Sequence, residues 1–421
     1  MTKLSFLAGQ LRKKLWLRPT LLSLGACAWV TLAYGLQYVF NGDGWPVDIE
    51  RATLNNLFAI LASSMLTVAT FAVSALVTTF ATVSSTSTPR ARELVMADTT
   101  AQTALASFIG AFIYAVVALV ALSALTYGAL GRFGLFAGFV IAVGFVLMSF
   151  LRWVALVSNL GGLDDTIDRA ETAALSVFSS VSAVGGLGGR EYGPANAPPP
   201  GHVITSPEIG YICHIDMAAL GEVCKRLDAD IWLRVRPGCF ADGVSPLAIV
   251  AGDRELRDED RAAIRRAFTI SHARDLSVDP RFALIVLSEI SDRALSPAVN
   301  DPGTAVRVLG VQLRLLTRWT RTRPEADARE PEFPRVRVPA LSVDDLLDDA
   351  FMATARSGAH LLEVAMRLQK TLGALAALGR DDLRDSARLR ARIALELAVE
   401  KVPGEHYREQ LRTCARSITA D

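Results

Sequence analysis

Asp, Glu, Lys and Arg are absent from four long stretches within the first 160 residues, and after Arg152 nothing of the kind recurs. The charge-free runs are Pro19 to Gly42, Ala52 to Pro89, Thr99 to Gly131 and Phe133 to Leu151. A helix needs about 20 mostly apolar residues to cross a bilayer, and each run supplies them. Soluble core helices of that length keep a charged face, so a wholly soluble chain is excluded. Cysteine is scarce: Cys27, Cys213, Cys224, Cys239 and Cys414 show no CxxC spacing, which argues against a disulfide framework or a thiolate metal centre. HExxH, P-loop and Rossmann glycine patterns are all missing. The glycine run Gly185 to Gly189 lacks the Lys-Ser/Thr that a phosphate loop requires. No ionisable residue lies deep in any apolar run, which removes the group that ion-coupled transporters use.

What is present divides the chain. Residues 1–160 read as a transmembrane domain with spans at about 19–41, 54–85, 102–127 and 133–156, carrying ten Lys or Arg against five Asp or Glu. Residues 161–201 read as a connecting helix and a Gly/Pro-rich linker, 202–258 as a small mixed β/α module, and 259–421 as a helical cytoplasmic region. The non-membrane half holds 34 Lys or Arg against 38 Asp or Glu, a balance that gives no basis for nucleic-acid binding. Lys3, Arg12, Lys13, Lys14 and Arg18 precede the first span, so the positive-inside rule keeps that end cytoplasmic. Four crossings then return the second half to the same side. The first apolar run has no small-residue cleavage site after it and reads as a retained span. Arg outnumbers Lys and Ala is abundant, which hints at a GC-rich bacterial genome; with four helical spans the expected location is the bacterial inner membrane.

The second span carries the most informative pattern. Ser63, Thr67, Thr70, Ser74, Thr78 and Thr82 recur every three or four residues, so their hydroxyls share one helix face. Leu66, Val73, Leu76, Val77 and Phe80 supply apolar surface elsewhere. Two uses fit such a face: close helix packing, or the wall of a water-filled path in an oligomer. Gly134 and Gly138 form a GxxxG in the fourth span and favour close helix contact. Asp164, Asp165 and Asp168, just past that span, fit either a solvated face or a cation-attracting vestibule.

In the soluble half, Tyr211 to Asp216, Ile231 to Val235 and Leu247 to Ala251 read as strands, and Met217, Leu220, Cys224 and Leu227 as the apolar face of a short helix. Asp279-Pro280 and Asp301-Pro302 each have the chemistry of a helix start. Val306, Leu309, Leu313 and Leu316 make an apolar face, with Arg307, Arg314, Arg318 and Arg321 opposite it. Pro324, Pro331, Pro334 and Pro339 mark a second linker. Three or four amphipathic helices follow, broken near Gly379 and Pro403-Gly404. His214 and Asp216 share a strand face but have no further metal-type ligands near them in sequence.

The segment DRALSPAVNDPGTA, from Asp292 to Ala305, resembles the signature of the predicted bacterial membrane proteins grouped as domain of unknown function 2254. Ser87, Thr88, Pro89 and Arg90 resemble that family's Ser-Pro-Arg turn, and SFIGAFIY from Ser107 to Tyr114 its third span. Gly210, Tyr211 and Ile212 with Asp216 resemble its small module. The chain departs from the pattern at Thr88, Ser271, His272 and Gly303. The resemblance implies four spans and a cytoplasmic region, and brings no activity with it. Within the signature, Asp292 and Arg293 can pair locally or across a subunit contact. Ser296, Pro297, Asn300, Asp301, Pro302 and Thr304 build a tight connection that is either a rigid interhelical corner or a ligand site.

The expected architecture is mainly α: a four-helix transmembrane region, then a cytoplasmic half with a mixed β/α module and a helical C-terminal region. No catalytic constellation, cofactor site or metal site emerges. The leading expectation is a non-enzymatic homo-oligomer, channel-like, whose cytoplasmic half assembles or gates it. A membrane-anchored scaffold or sensor of a small ligand or ion comes second, and a tethered enzyme last.

Overall fold

The computed structural model describes residues 16–39, 49–86, 88, 90, 99–159, 163–184, 186–193, 195–253, 255–327 and 330–419. By its described residues the chain separates into two units, one within 16–85 and 99–165 and the other made of Thr86, Thr88 and Arg90 with the described residues from 166 to 419. The basic residues Lys3 and Arg12 to Lys14, the loop at 41–48, and Ser87, Pro89 and Arg92 lie outside the described residues.

The first unit is helical. Its helices are α1 (Leu17–Val39), α2 (Arg51–Thr86), α3 (Thr99–Ala124) and α4 (Ala129–Asn159). All four are long and apolar enough to cross a membrane. The helices α1, α3 and α4 approach one another closely. The α2 helix joins them through larger side chains. Phe58 meets Tyr114 at 5.5 Å and Phe139 at 5.9 Å, and Phe71 meets Trp153 at 6.0 Å. Trp153 is buried in this unit. At 36 residues, α2 is the longest of the four. Its length of about 54 Å at 1.5 Å per residue exceeds the hydrocarbon layer of about 30 Å.

The second unit is built around two small sheets. A connecting helix α5 (Leu163–Val184) leads into β1 (Gly189–Tyr192), followed by β2 (Gly201–Ile204), β3 (Gly210–Ile215), α6 (Met217–Leu227), β4 (Ile231–Leu233), β5 (Phe240–Ala241), β6 (Ala248–Ala251), α7 (Asp258–Arg266) and β7 (Phe268–Ser271). Two long helices, α8 (Pro280–Ala294) and α9 (Pro302–Asp327), precede β8 (Phe333–Pro339). Then come α10 (Val343–Leu347), a π turn at Asp348–Met352, α11 (Ala353–Ser357), α12 (Leu362–Ala376), α13 (Asp381–Lys401) and α14 (Glu405–Thr419). The larger sheet has the order β1-β8-β4-β6-β2, parallel across β1, β8 and β4 and antiparallel beyond; the smaller is antiparallel β5-β3-β7.

Both expected linkers turn out to hold strands. β1 emerges from the glycine run and β8 from the proline-rich stretch, and β7 and β8 extend the sheets past residue 258. Val336 and Val338 are fully buried while Arg335 and Arg337 point the other way, the alternation of a half-buried strand. Pro334 is tolerated because the β1 pairing jumps from Phe333 to Arg337 and the β4 pairing starts at Val336. No ladder bond is asked of its missing N–H.

The helix before each parallel strand matches too. Asp168 of α5 pairs with Arg307 of α9 at 2.7 Å, Glu171 with Arg314 at 2.6 Å, and Phe178 packs on Trp319 at 6.5 Å. The numbers rise together on both helices, so α5 and α9 run parallel, as β1 and β8 do. Two helix–strand units therefore stand side by side.

Candidate functional site

The hydroxyl face of α2 points outward from its own bundle. Leu54, Phe58, Leu61, Met65, Ala69, Ala72 and Leu76 are the buried positions of this helix. Ser63, Thr67, Thr70, Ser74 and Thr78 are all exposed, and at about 100° per residue they lie roughly opposite that buried face. The side chain of Thr82 lies outside the described residues. Each described hydroxyl donates to a carbonyl about one turn back: Ser63 to Ile60, Thr67 to Ser63, Thr70 to Leu66, Ser74 to Thr70 and Thr78 to Ser74, at 2.9–3.1 Å. This bonding satisfies the donors without an outside partner and leaves oxygen lone pairs facing out. Ile60 and Phe71 flank the stripe on one side, with Leu66, Val73 and Val77 on the other, all exposed. Packing within one bundle is therefore not what the hydroxyl face does. Leu76, assigned in sequence to the general apolar surface, belongs to the buried side.

Gly134 and Gly138 sit where α4 meets its neighbours. A Cβ at Gly134 would come within 3.2 Å of the Ala33 Cβ, and one at Gly138 within 2.4 Å of both Trp29 Nε1 and the Tyr114 hydroxyl. The close approach lets Trp29 donate to the Gly134 carbonyl at 3.1 Å and Tyr114 to the Leu135 carbonyl at 2.6 Å. In an apolar setting such bonds fix helix register where dispersion alone would not.

In the second unit, the signature segment forms the corner between α8 and α9. Ser296 donates its hydroxyl to the Arg293 carbonyl at 2.7 Å and accepts the Asn300 N–H on its own carbonyl at 2.9 Å. Asn300 adopts a left-handed φ of 49°, a conformation that Asn tolerates better than most residues. Asp301 then caps α9: its carboxylate accepts the Thr304 N–H at 3.1 Å and the Thr304 hydroxyl at 2.6 Å. Those two bonds hold the Asp301 carboxyl below the usual carboxylate range. Pro302 supplies the first turn, where no N–H is needed. Asp292 accepts from Ser357 of α11, and that bond ties the corner to a segment 65 residues away. Pro297 and Asn300 are exposed.

The other sequence candidates have structural employment. Asp216 caps α6 through the Ala219 N–H at 3.1 Å, and His214 is buried beside it in β3. No group able to hold a metal ion occurs among the described residues. Asp168 is bound by Arg307, and Arg314 by Glu171, so half of the arginine stripe is a salt-bridged face; Arg318 and Arg321 are exposed.

Two features escaped the sequence pattern. One is a double clamp on the helix that carries the π turn. Arg281 of α8 binds Asp345 at 2.5 Å and Asp349 at 2.6 Å, while Arg390 of α13 binds Asp344 at 2.5 Å and Asp348 at 2.9 Å. The Asp pairs recur four apart, a signal visible in sequence, but their partners are more than 40 residues away. The other is Arg90, which belongs to the second unit, ion-pairs with Glu289 of α8 and lies 6.0 Å from the Phe282 ring centre.

The chain belongs to the family described as predicted membrane protein (DUF2254), whose profile matches residues 12–374. With four apolar helices of spanning length, it is an integral membrane protein in contact with a lipid bilayer. No curated protein and no solved structure matches it.

Proposed function

We propose that this protein is a non-enzymatic, homo-oligomeric channel of the bacterial inner membrane, with α2 from each subunit turning its hydroxyl face toward a shared axis. The observation that carries this reading is the outward direction of Ser63, Thr67, Thr70, Ser74 and Thr78 from the single-subunit bundle. Four helices packed on one another leave no room for a path inside one subunit, so the polar face has to be completed by copies of itself. Hydroxyls whose donors are already bonded offer acceptor oxygens to a passing ion or water without a large desolvation cost. The soluble unit is assigned to the cytoplasmic side, where it assembles or gates the pore. Support for gating comes from Arg90: it follows α2 in the chain and is held by Glu289 of α8.

A second reading, a membrane-anchored scaffold or ligand sensor without conduction, draws on the same back-bonding. A helix whose hydroxyls are satisfied internally also tolerates lipid. Single-channel recording of purified protein in planar bilayers separates the two, with Ser74→Leu of verified equal oligomeric size as control. Discrete currents altered by Ser74→Leu support conduction along this face. Silence from a verified oligomer across ions and voltages sinks it in favour of the scaffold or sensor.

A further inference from the structure

The structure assigns a binding site for a small organic anion, of the phosphate or carboxylate class, to an arginine-lined cleft beside the N-terminus of α8. The inference concerns the second unit alone and holds whether or not the α2 face conducts.

The cleft has a volume of about 380 Å³ and is walled by the turn after β4, the start of α8 and the connection from β8 to α10. Four guanidinium groups line it: Arg234, Arg236, Arg274 and Arg281. Three are fixed in place by the protein's own acceptors. Arg236 donates to the Pro339 carbonyl at 2.6 Å and meets Glu191 at 3.3 Å. Arg274 meets Asp279 at 2.6 Å, and Arg281 is held by Asp345 and Asp349. Counting Glu191 and Asp349 behind the wall, these three cations face four carboxylates. What they supply is therefore rigid, directed N–H groups rather than excess charge.

Arg234 is different. It is exposed, and no ion pair or side-chain hydrogen bond holds it among the described residues. It stands between this cleft and a second one of about 570 Å³, lining both together with Pro339 and Ala340. The second cleft is bounded by Tyr192, Pro198, Pro246 and Ile249, a predominantly apolar surface. An uncommitted guanidinium at the junction of an arginine-bearing cleft and a more apolar one suits a ligand with one anionic group and a compact apolar body. Both volumes lie in the range of small-molecule pockets. The Asp279 cap and the Pro280 start of α8 already occupy the helix end, so the guanidinium groups are the donors that recognise the anion.

The test is isothermal titration of the purified full chain in detergent with phenyl phosphate, benzoate, inorganic phosphate and phenol. The expected result is saturable binding of phenyl phosphate or benzoate, weakened about tenfold or more by Arg234→Ala and partly restored by Arg234→Lys, with none for phenol. Because Arg234 is exposed, both variants keep the fold, and a matching unfolding temperature verifies it. The same anionic chemistry is also found on lipid headgroups. A second arm therefore compares nanodiscs of phosphatidylcholine and phosphatidylglycerol. An Arg234-dependent rise in unfolding temperature with phosphatidylglycerol alone assigns the anion to a lipid. Its absence, with phenyl phosphate or benzoate bound in detergent, assigns it to a soluble ligand. The proposal is overturned if no probe binds saturably up to about 10 mM and no lipid effect appears, or if Arg234→Ala leaves every response unchanged.

Discussion

Gly238→Ala is the substitution whose cost the structure specifies most closely. Gly238 has a φ of +95°, and a Cβ built there would stand 2.1 Å from Asp279 Oδ2 and 2.4 Å from its carboxyl carbon. The left-handed conformation alone costs a non-glycine residue about 1–2 kcal/mol. The carboxylate in the way cannot yield cheaply. Asp279 is 1% exposed, receives Arg274 at 2.6 and 2.8 Å, and caps α8 through the Phe282 N–H at 3.1 Å. Losing a cap costs about 1 kcal/mol and uncoupling a buried pair about 3. Allowing for partial relaxation, Gly238→Ala should destabilise the second unit by about 3–5 kcal/mol, or lower its unfolding temperature by roughly 6–15 °C. Gly252 is an internal control: its φ is +106°, but no atom lies within 4 Å of a built Cβ. Gly252→Ala should therefore cost only the conformational share, about 1–2 kcal/mol. Calorimetric unfolding of both variants measures the difference. In an Asp279→Ala background the obstruction is gone, and Gly238→Ala should then cost no more than Gly252→Ala, a coupling of about 2 kcal/mol. Equal losses for Gly238→Ala and Gly252→Ala in the wild-type background would refute the steric argument.

Three further outcomes are expected. Asp301→Ala removes the α9 cap and should cost about 1 kcal/mol at neutral pH in thermal unfolding. Because the Asp301 carboxyl is held below its ordinary value by Thr304, its contribution is complete above the unfolded carboxylate pKa of about 3.9 and is lost as pH falls through the folded value. The gap between wild type and Asp301→Ala should accordingly close at strongly acid pH, and a gap that widens there contradicts the assignment. Arg390→Ala should cost about 1–3 kcal/mol, not the larger loss of an orphaned buried charge, because Asp344 and Asp348 are more than half exposed and can rehydrate; a loss above about 4 kcal/mol by the same assay would count against this. Glu289→Gln weakens a pair whose Arg90 side chain is 52% exposed, so the expected stability change is under about 1 kcal/mol. If Arg90 couples α8 to the pore, the same variant shifts open probability in planar bilayers, and identical gating would remove that coupling.

The sequence disclosed the elements whose cause is local. Missing charge marked all four apolar helices, and Asp-Pro marked the starts of α8 and α9, where cap and first turn are decided within four residues. Alternation gave β3 and β4, and the Met217, Leu220, Cys224, Leu227 face of α6 is buried throughout. β1 and β8 were hidden because Gly and Pro dominate their surroundings, and their reason for existing is parallel pairing across some 140 residues. The Val336 and Val338 alternation was present but too short to outweigh four prolines. Periodicity also found the hydroxyl stripe of α2 without revealing which way it turns, since a helix with two distinct faces reads alike whichever one meets its neighbours. The arginine cleft had no sequence signature, because Arg234 and Arg236 come from the segment after β4 while Arg274 and Arg281 flank the start of α8 some 40 residues later.

The α8 helix carries the Arg90 partner, the start of the family corner and one wall of the proposed anion site along a single packed element. Its first turn, Pro280 and Arg281, lines the arginine cleft; Glu289 in its middle holds Arg90; Asp292 and Arg293 at its end begin the signature corner. Between these points Phe282, Leu284, Val286, Leu287 and Ile290 are nearly or wholly buried, so the helix cannot bend without opening a cavity. A packed helix moves as a unit or not at all. Arg281 and Glu289 therefore stand at a fixed separation of about 12 Å along the axis. The attachments of α8 include the Arg281 clamp to Asp345 and Asp349, the Arg90–Glu289 pair and the Ser357 bond to Asp292. The described bonds of the signature segment go to the turn, to the α9 cap and to Ser357, so its chemistry is that of a corner that fixes the C-terminal end of α8.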